Sequence, residues 1–471
     1  MNLQNTLRFF SEKSLIFYIV LLFPLLGTDN PSLVQPRIWC GLLIYLSFWF
    51  VHVRGHFFSK NIGRVPCIFF GAVILFILLR SFWGYLVTHH SQFPGSPLLR
   101  LDRYMNAPLR WLFFFITFAT GYLAFKRKKF AWLTLNAMSW AGFFLAVNAL
   151  PALLLTGKSS YVDMHQKRGF FFPFFYEMEW VPKYVMNRFA HPNYVGDIMA
   201  FGLFAALGLA VYCFHIMRLQ KKGEDVSSEG HFTKTPVPFI CLRFVIAISI
   251  AIAVLLLLSR GTISCFALTV VIFVGLLFLK FFKRLPWMIV AAGVGIAVSV
   301  LVWAIDFQKV SKELQTLQVE MDENNPHGRS IDTNIEGYKR ALAIYHAFPV
   351  WGVGTKGYVD VSPSFSFSLT PLNFADAVVM NHYLQTLAEE GVGAFLYFAF
   401  FIVYLWDVLK GLILTKSRFK FVASLTFFAP VVMVLIHASF NHLMEGFGTQ
   451  TLVYLSMGAS LSVLRADFEH Q

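Results

Sequence analysis

Long apolar runs recur along the whole chain and constrain its fold more than any other feature. Lipid offers the backbone no hydrogen-bond partners, so a run of about 20 apolar residues is stable in a bilayer as a helix. Charged residues make up only 14% of the chain, whereas soluble domains carry about 25%. The sequence therefore predicts an all-α fold, a polytopic transmembrane helical bundle of about 12 spans. The predicted spans are 14–28, 38–53, 66–87, 109–125, 130–155, 193–217, 238–258, 261–280, 286–305, 391–409, 421–439 and 447–464.

Basic clusters fall on alternate connections between these spans. They lie near Arg54, at 126–129, and near Arg218, Lys280 and Lys416. The positive-inside rule places these connections, and with them both termini, in the cytoplasm. The formal net charge of +14 is therefore an orientation signal, and it does not indicate nucleic-acid binding.

The longest outward connection, 306–390, is the part of the chain richest in polar and titratable groups. We expect three regions: 1–305 with spans one to nine, 306–390 as an outer loop that forms part of an active site, and 391–471 with the last three spans. Loops of this length are usually functional or disordered. Apolar residues from Ala341 to Phe348 recur at helical spacing, which predicts an ordered helix. That helix lies either on the membrane surface or against the bundle.

Patterns that bind metals or nucleotides do not occur in the sequence. The five cysteines all lie in or beside apolar runs, so neither a disulfide framework nor a cysteine metal site is expected. There is no HExxH, no Walker loop, no Ser-His-Asp elbow and no DxD pair. The prediction is chemistry without a metal or cofactor, and a soluble nucleotide-sugar enzyme is disfavoured.

Two segments are candidates for binding an anion. Arg260 lies in LLLLSRGTIS between two apolar runs, where an arginine marks either a functional site or a snorkelling side chain. Its planar fork suits phosphate oxygens. Arg188, His191 and Asn193 lie at the start of the sixth span, whose positive end favours an anion. Asp197 is one helical turn further into this span. The alternative to anion binding by this segment is plain helix capping with a paired aspartate.

Two further ionisable side chains are candidates for chemistry or pairing. His382 lies at the start of a helix that leads into the tenth span, with Asn381, Gln385 and Glu389 nearby. A histidine there can act as a general base near neutral pH, although a lone histidine is more often structural. Arg80, within an apolar span, is expected to pair structurally with an acid in the bundle rather than to act in catalysis.

Four segments, in this order, resemble the O-antigen ligase and O-antigen polymerase superfamily of bacterial envelope enzymes. The resemblance implies a GT-C-like fold and a metal-independent, inverting transfer of glycan from a polyprenyl-diphosphate carrier at the outer leaflet. The segments are HPNYVGDIMAFGLF, LSRGTISCFALTVV, RALAIYHAFPVWGVGTKGY and NHYLQTLAEEGVGAFLYF.

The resemblance also implies roles for two arginines. Arg260 matches the arginine of the family's [ST]-R-[GA] motif, which binds the carrier diphosphate. The family's second arginine would fall near Asn334, which is not basic. Arg340 or Arg329 would then replace it.

The family's His-Asn-x-Tyr-Leu pattern is offset in this chain. Met380 occupies the usual histidine position, followed by Asn381, His382 and Tyr383. His382 is about 200° further around a helix, so it can substitute as the catalytic base only if the helix begins later or is irregular. The alternative is that the proton leaves through Glu389, Glu390, His191 or water. Asn381 and Tyr383 are expected to bind substrate.

The function that follows is an O-antigen ligase of the bacterial inner membrane, with its active site facing the periplasm. The donor would be an undecaprenyl-diphosphate-linked glycan and the acceptor lipid A–core. An O-antigen polymerase, with another carrier-linked repeat as acceptor, is the first alternative, and protein O-glycosylation is another. A transporter of lipid-linked sugars, with Arg80 and Asp197 along its path, is the alternative from a different class.

Overall fold

The chain is described here from a computed structural model. The structure describes residues 3–21, 31–52, 64–90, 101–156, 192–223, 237–256, 260–281, 329–355, 357–365, 379–439 and 447–466.

The regular structure in these ranges is entirely helical, as predicted. Fourteen α-helices and one short 3₁₀ turn, Ser362–Phe365, follow one another within the described residues. The helices are α1 Leu3–Leu21, α2 Pro31–His52, α3 Arg64–His90, α4 Leu101–Ala124, α5 Lys128–Thr156, α6 Pro192–Lys221, α7 Val237–Leu256, α8 Arg260–Phe281, α9 Arg329–Ala347, α10 Tyr358–Val361, α11 His382–Glu390, α12 Gly393–Leu414, α13 Arg418–His437 and α14 Phe447–Arg465.

Five helical stretches in the described residues are long and apolar enough to cross a membrane. Four shorter apolar stretches, in α2, α3, α4 and α8, accompany them. The chain is therefore a polytopic helical membrane protein, as the sequence predicts. The five stretches are Lys128–Val147, Val195–Lys221, Val237–Leu255, Gly393–Leu414 and Arg418–His437.

One predicted span differs from the structure, and another lies outside the described residues. The first, 14–28, overlaps α1, but α1 begins at Leu3 and ends at Leu21. Residues 22–30 lie outside the described residues, as does the whole of the predicted ninth span, 286–305.

Glycines allow the central helices to approach closely, as is common where helices pack in membranes. A Cβ added to Gly121 of α4 would lie 2.3 Å from the carbonyl oxygen of Leu455 in α14. A Cβ on Gly142 of α5 would lie 2.7 Å from the Cα of Gly202 in α6. These contacts place α6 and α14 inside the bundle.

Residues 329–365 and α11 form a small folded unit with its own core. Ala341 and Ile344 of α9 are buried together with Val353, Tyr358 and Ala388. The apolar stripe predicted for α9 is therefore real. It packs on α11 and on the segment around α10, whereas the sequence predicts packing on a membrane surface or on the bundle.

The glycine-rich turn that follows α9 is hydrogen-bonded to the C-terminal end of α11. Gly352 and Gly354 have positive φ angles of 61° and 90°, a conformation that costs glycine little. Val353 N–H donates to Ala388 O at 3.1 Å, and Gly354 N–H donates to Glu389 O at 3.0 Å. These bonds satisfy carbonyls at the C-terminal end of α11, which have no partner within the helix itself. Trp351 in this turn stacks on Phe76 and Trp83 of α3, so the unit is fixed to the bundle.

Candidate active site

The start of α11 is bound to the end of α13 by three hydrogen bonds. His382 N–H donates to Ala438 O at 2.9 Å. The Asn381 side-chain amide donates to Ser439 O at 3.0 Å, and the Tyr383 hydroxyl donates to Leu435 O at 2.6 Å. The motif that the sequence singles out is therefore held against the last turn of α13.

Asn381 sets the register of this motif. It is the N-cap of α11, with extended backbone at φ −161°, and its side-chain oxygen accepts from Leu384 N–H at 3.0 Å. The helix therefore begins at His382, and Met380 precedes the cap. The Met380 carbonyl accepts from the Tyr338 hydroxyl of α9 at 3.1 Å. The condition stated for His382 to replace the family's histidine, a helix that begins later, is met.

The His382 ring lies at the edge of the buried core, 9% exposed. Its Nε2 is 3.4 Å from both the Tyr397 hydroxyl and the Thr386 Oγ1. Both distances are at the long end of the hydrogen-bond range, so neither contact holds the ring firmly. The neighbouring Tyr383, in contrast, is held firmly by its hydrogen bond to Leu435 O. Burial raises the pKa of its hydroxyl, so the hydroxyl stays protonated and remains a donor.

Asp197 pairs with a histidine that the sequence analysis did not single out. Asp197 Oδ1 of α6 is 2.9 Å from His437 Nδ1 at the end of α13, and both side chains are fully buried. Asp197 Oδ2 and His437 Nε2 have no hydrogen-bond partner among the described residues. The sequence signal for His437 was its position at the end of an apolar span, where titratable groups are uncommon.

The first turn of α8 packs between α6, which carries Asp197, and the end of α13, which carries His437. A Cβ on Gly196 of α6 would lie 2.4 Å from Cγ2 of Thr262, and a Cβ on Gly261 would lie 2.8 Å from His437 Nε2. Arg260 is the first residue of α8. The ends of α6, α8, α11 and α13 therefore meet at one place.

Arg80 pairs with an acid, as the sequence predicts, but the acid is Glu390 at the end of α11 and not one in the bundle. The Arg80 guanidinium also donates to Glu389 O at 3.1 Å and to Thr355 Oγ1 at 3.0 Å. Thr355 in turn donates to Glu390 Oε1 at 2.6 Å. Glu389 accepts from the Gln385 amide at 3.1 Å. Both acidic residues of α11 are thus engaged, and α3 is tied to the far end of the helix that carries His382.

The other candidate residues are placed as follows. Arg340 is buried in α9 and pairs with Glu336 one turn earlier. For Arg260, Asn193 and Arg329 the structure describes the helix backbone but not the side chain, and Arg188 and His191 lie outside the described residues. No group of three or more potential metal ligands occurs among the described residues.

The comparisons with known proteins bear on the same region. Residues 244–399 match the family model described as O-Antigen ligase. The match supports the resemblance to the O-antigen ligase superfamily and a ligase- or polymerase-like function in the O-antigen pathway. It spans α7 to α11 and the start of α12, and it leaves Asp197 and His437 outside. No curated protein matches the chain.

Proposed function

We propose that the chain is a membrane glycosyltransferase of the O-antigen ligase type. The observation that carries this proposal is the meeting of four helix ends. They bring the start of α8 with Arg260, the pair of Asp197 and His437, and the start of α11 with His382 to one place. The O-antigen ligase match covers two of these four helix ends. A site for a charged leaving group beside a histidine is what glycan transfer from a lipid diphosphate requires.

The donor in this proposal is a glycan on undecaprenyl diphosphate. Arg260 and the first turn of α8 would hold the diphosphate, because an arginine fork and free helix N–H groups both bind phosphate oxygens. Arg188, His191 and Asn193 at the start of α6 would add further contacts. Arg329, in the first turn of α9, would supply the second cation.

Arg340 is the other candidate for that second cation. It would have to exchange its pairing with Glu336 for the diphosphate. Both arginines therefore stay in the proposal, and the pairing makes Arg329 the first to test.

The reaction would be a single displacement at the anomeric carbon. The acceptor hydroxyl attacks that carbon, the bond to the diphosphate oxygen breaks with its electron pair, and His382 takes the hydroxyl proton. Asn381 and Tyr383 hold the start of α11 in place and lie beside the acceptor. One displacement inverts the anomeric configuration, and cations offset the charge that develops on the diphosphate.

The proposed location is the bacterial inner membrane, with both termini in the cytoplasm and the site facing the periplasm. The alternation of basic clusters along the chain supports this orientation. The partners are then the lipid-linked donor, the lipid A–core acceptor and the surrounding lipid, with no cofactor and no nucleic acid.

The lipopolysaccharide of a deletion strain tests the proposal. For a ligase, lipid A–core carries no polymer while polymer still accumulates on the carrier. A single repeat on lipid A–core identifies a polymerase instead. An unchanged ladder refutes both functions and directs attention to another glycan, to protein glycosylation or to transport.

A further inference from the structure

The pair of Asp197 and His437 has one polar atom on each residue with no partner among the described residues. Asp197 Oδ1 and His437 Nδ1 are joined at 2.9 Å, while Oδ2 and Nε2 have no hydrogen bond to any described residue. Leaving a buried polar atom unpaired costs stability. Two such atoms on one fully enclosed pair indicate that the pair does more than join α6 to α13.

Neutralising the Asp197 carboxylate within the pair would place a hydrogen on Nε2. A lone carboxylate enclosed by protein is strongly disfavoured unless it is neutralised. One proton shared between the two residues achieves this, either as carboxylate with imidazolium or as carboxylic acid with neutral imidazole. Because Nδ1 faces Asp197 in both of these arrangements, Nε2–H is a hydrogen-bond donor in both. A charged carboxylate beside a neutral imidazole would leave Nε2 an acceptor, an arrangement that an anion approaching Nε2 disfavours.

That donor faces the first turn of α8. A Cβ added to Gly261 would lie 2.8 Å from Nε2, so a side chain at this position would cover the nitrogen. Glycine within a helix costs about 1 kcal/mol relative to alanine, and here it lets the first turn of α8 pack directly against Nε2. The N–H groups of a helix's first turn also lack partners within the helix, and Arg260 begins α8.

We propose that His437, oriented by Asp197, donates a hydrogen bond from Nε2 to the diphosphate of the lipid-linked donor. His437 then shares the diphosphate with Arg260 and the N-terminal N–H groups of α8. When the bond from the anomeric carbon to the diphosphate oxygen breaks, that oxygen keeps the electron pair and Nε2–H stabilises its charge. The proposal rests on the proposed function for the identity of the ligand.

Binding of farnesyl diphosphate to the purified full-length protein tests the proposal separately from transfer. His437→Leu should weaken this binding about 10-fold or more, the effect of losing a hydrogen bond to a charged group. His437→Gln, which keeps an N–H donor, should recover part of the affinity. Asp197→Asn should lie between the wild type and His437→Leu.

Two glycine substitutions complete the test. One is a variant that leaves the pair of Asp197 and His437 intact, and the other is its control. Gly261→Ala places a methyl group against Nε2 and should also weaken binding about 10-fold. Gly71→Ala in α3 is the matched control, because a Cβ there meets nothing within 4 Å, and its affinity should be unchanged. His215→Gln is the matched histidine control, since it is on α6 about 27 Å along the helix from Asp197.

The outcomes separate this proposal from the proposed function. Wild-type affinity in a folded His437→Leu or Gly261→Ala protein overturns the assignment of Nε2 as a diphosphate donor. Unchanged affinity with a reduced rate of transfer also overturns it, because His437 would then act on the acceptor. If the wild type binds farnesyl diphosphate in a His437-dependent way but transfers no glycan from any lipid carrier, the diphosphate site stands and the proposed function fails.

Discussion

The ion pair of Arg80 and Glu390 should hold α11 in its working position. Both side chains are nearly inaccessible, at 0% and 7% exposure, and the same guanidinium binds Thr355 and the Glu389 carbonyl. Removing one partner of a buried pair leaves an unneutralised charge and costs about 3–5 kcal/mol. Glu390→Gln should therefore lower the unfolding temperature in detergent and reduce transfer, because His382 is on the same nine-residue helix.

A double substitution distinguishes this structural role from catalysis by Glu390. Replacing a buried ion pair by apolar residues of similar size is often neutral or stabilising, so Arg80→Met with Glu390→Met should recover much of the stability lost in Glu390→Gln. If the pair only positions α11, transfer should recover as well. We would measure both with purified protein and compare the double variant with its two single variants as a cycle.

Two results would refute this reasoning. A Glu390→Gln protein with the stability of the wild type would show that the pair contributes nothing to the docking of α11. A double variant that regains stability but stays inactive would assign Glu390, or Arg80, a direct part in the reaction.

Four further predictions concern topology, charge and chemistry. Reporter fusions at Asn325 and Lys128 should report periplasm and cytoplasm respectively, and a cytoplasmic Asn325 would contradict the orientation. Arg260→Ala should abolish transfer while the protein remains inserted in the membrane. Arg260→Lys should also transfer poorly, because lysine lacks the planar fork of arginine. Near-normal transfer by Arg260→Ala would mean that Arg260 only snorkels to the interface. His382→Gln should lower the rate by about 10²–10⁴, measured as turnover with purified donor and acceptor, whereas normal turnover would mean that the ring only positions the acceptor. Transfer should survive EDTA, and loss of activity that Mg²⁺ or Mn²⁺ restores would reject a metal-independent mechanism.

Much of the fold could be predicted because its signals are local. The apolar run at 393–414 and the stripe from Ala341 to Ile344 each lie within one helix, where the period of side chains decides which face is buried. The pairing of Arg80 was also predictable, since an arginine among apolar residues needs an acid. Its partner was not, because Glu390 lies 310 residues away in the outer unit and not in a predicted span.

The site was predictable only in part, because it depends on how distant helices meet. Asp197 and His437 are 240 residues apart, and no spacing rule relates them. The docking of α11 on α13 depends on backbone carbonyls of Leu435, Ala438 and Ser439, which every sequence has and which therefore leave no signal in the residue types. The start of α11, in contrast, could have been predicted from Asn381, a favoured N-cap residue.

The hydrogen bond from His382 N–H to Ala438 O, 2.9 Å long, links the two sides of the proposed reaction. Ala438 follows His437 directly, so the acceptor side at His382 and the diphosphate side at His437 share one short stretch of backbone. A displacement needs its nucleophile and its leaving group held in a fixed relation, because small errors in alignment slow the reaction strongly. In the proposed reaction, the docking of α11 on α13 would supply that relation. A movement that displaces α11, such as loss of the Arg80–Glu390 pair, would therefore disturb alignment before it disturbs the binding of either substrate, and it should lower turnover more than donor affinity.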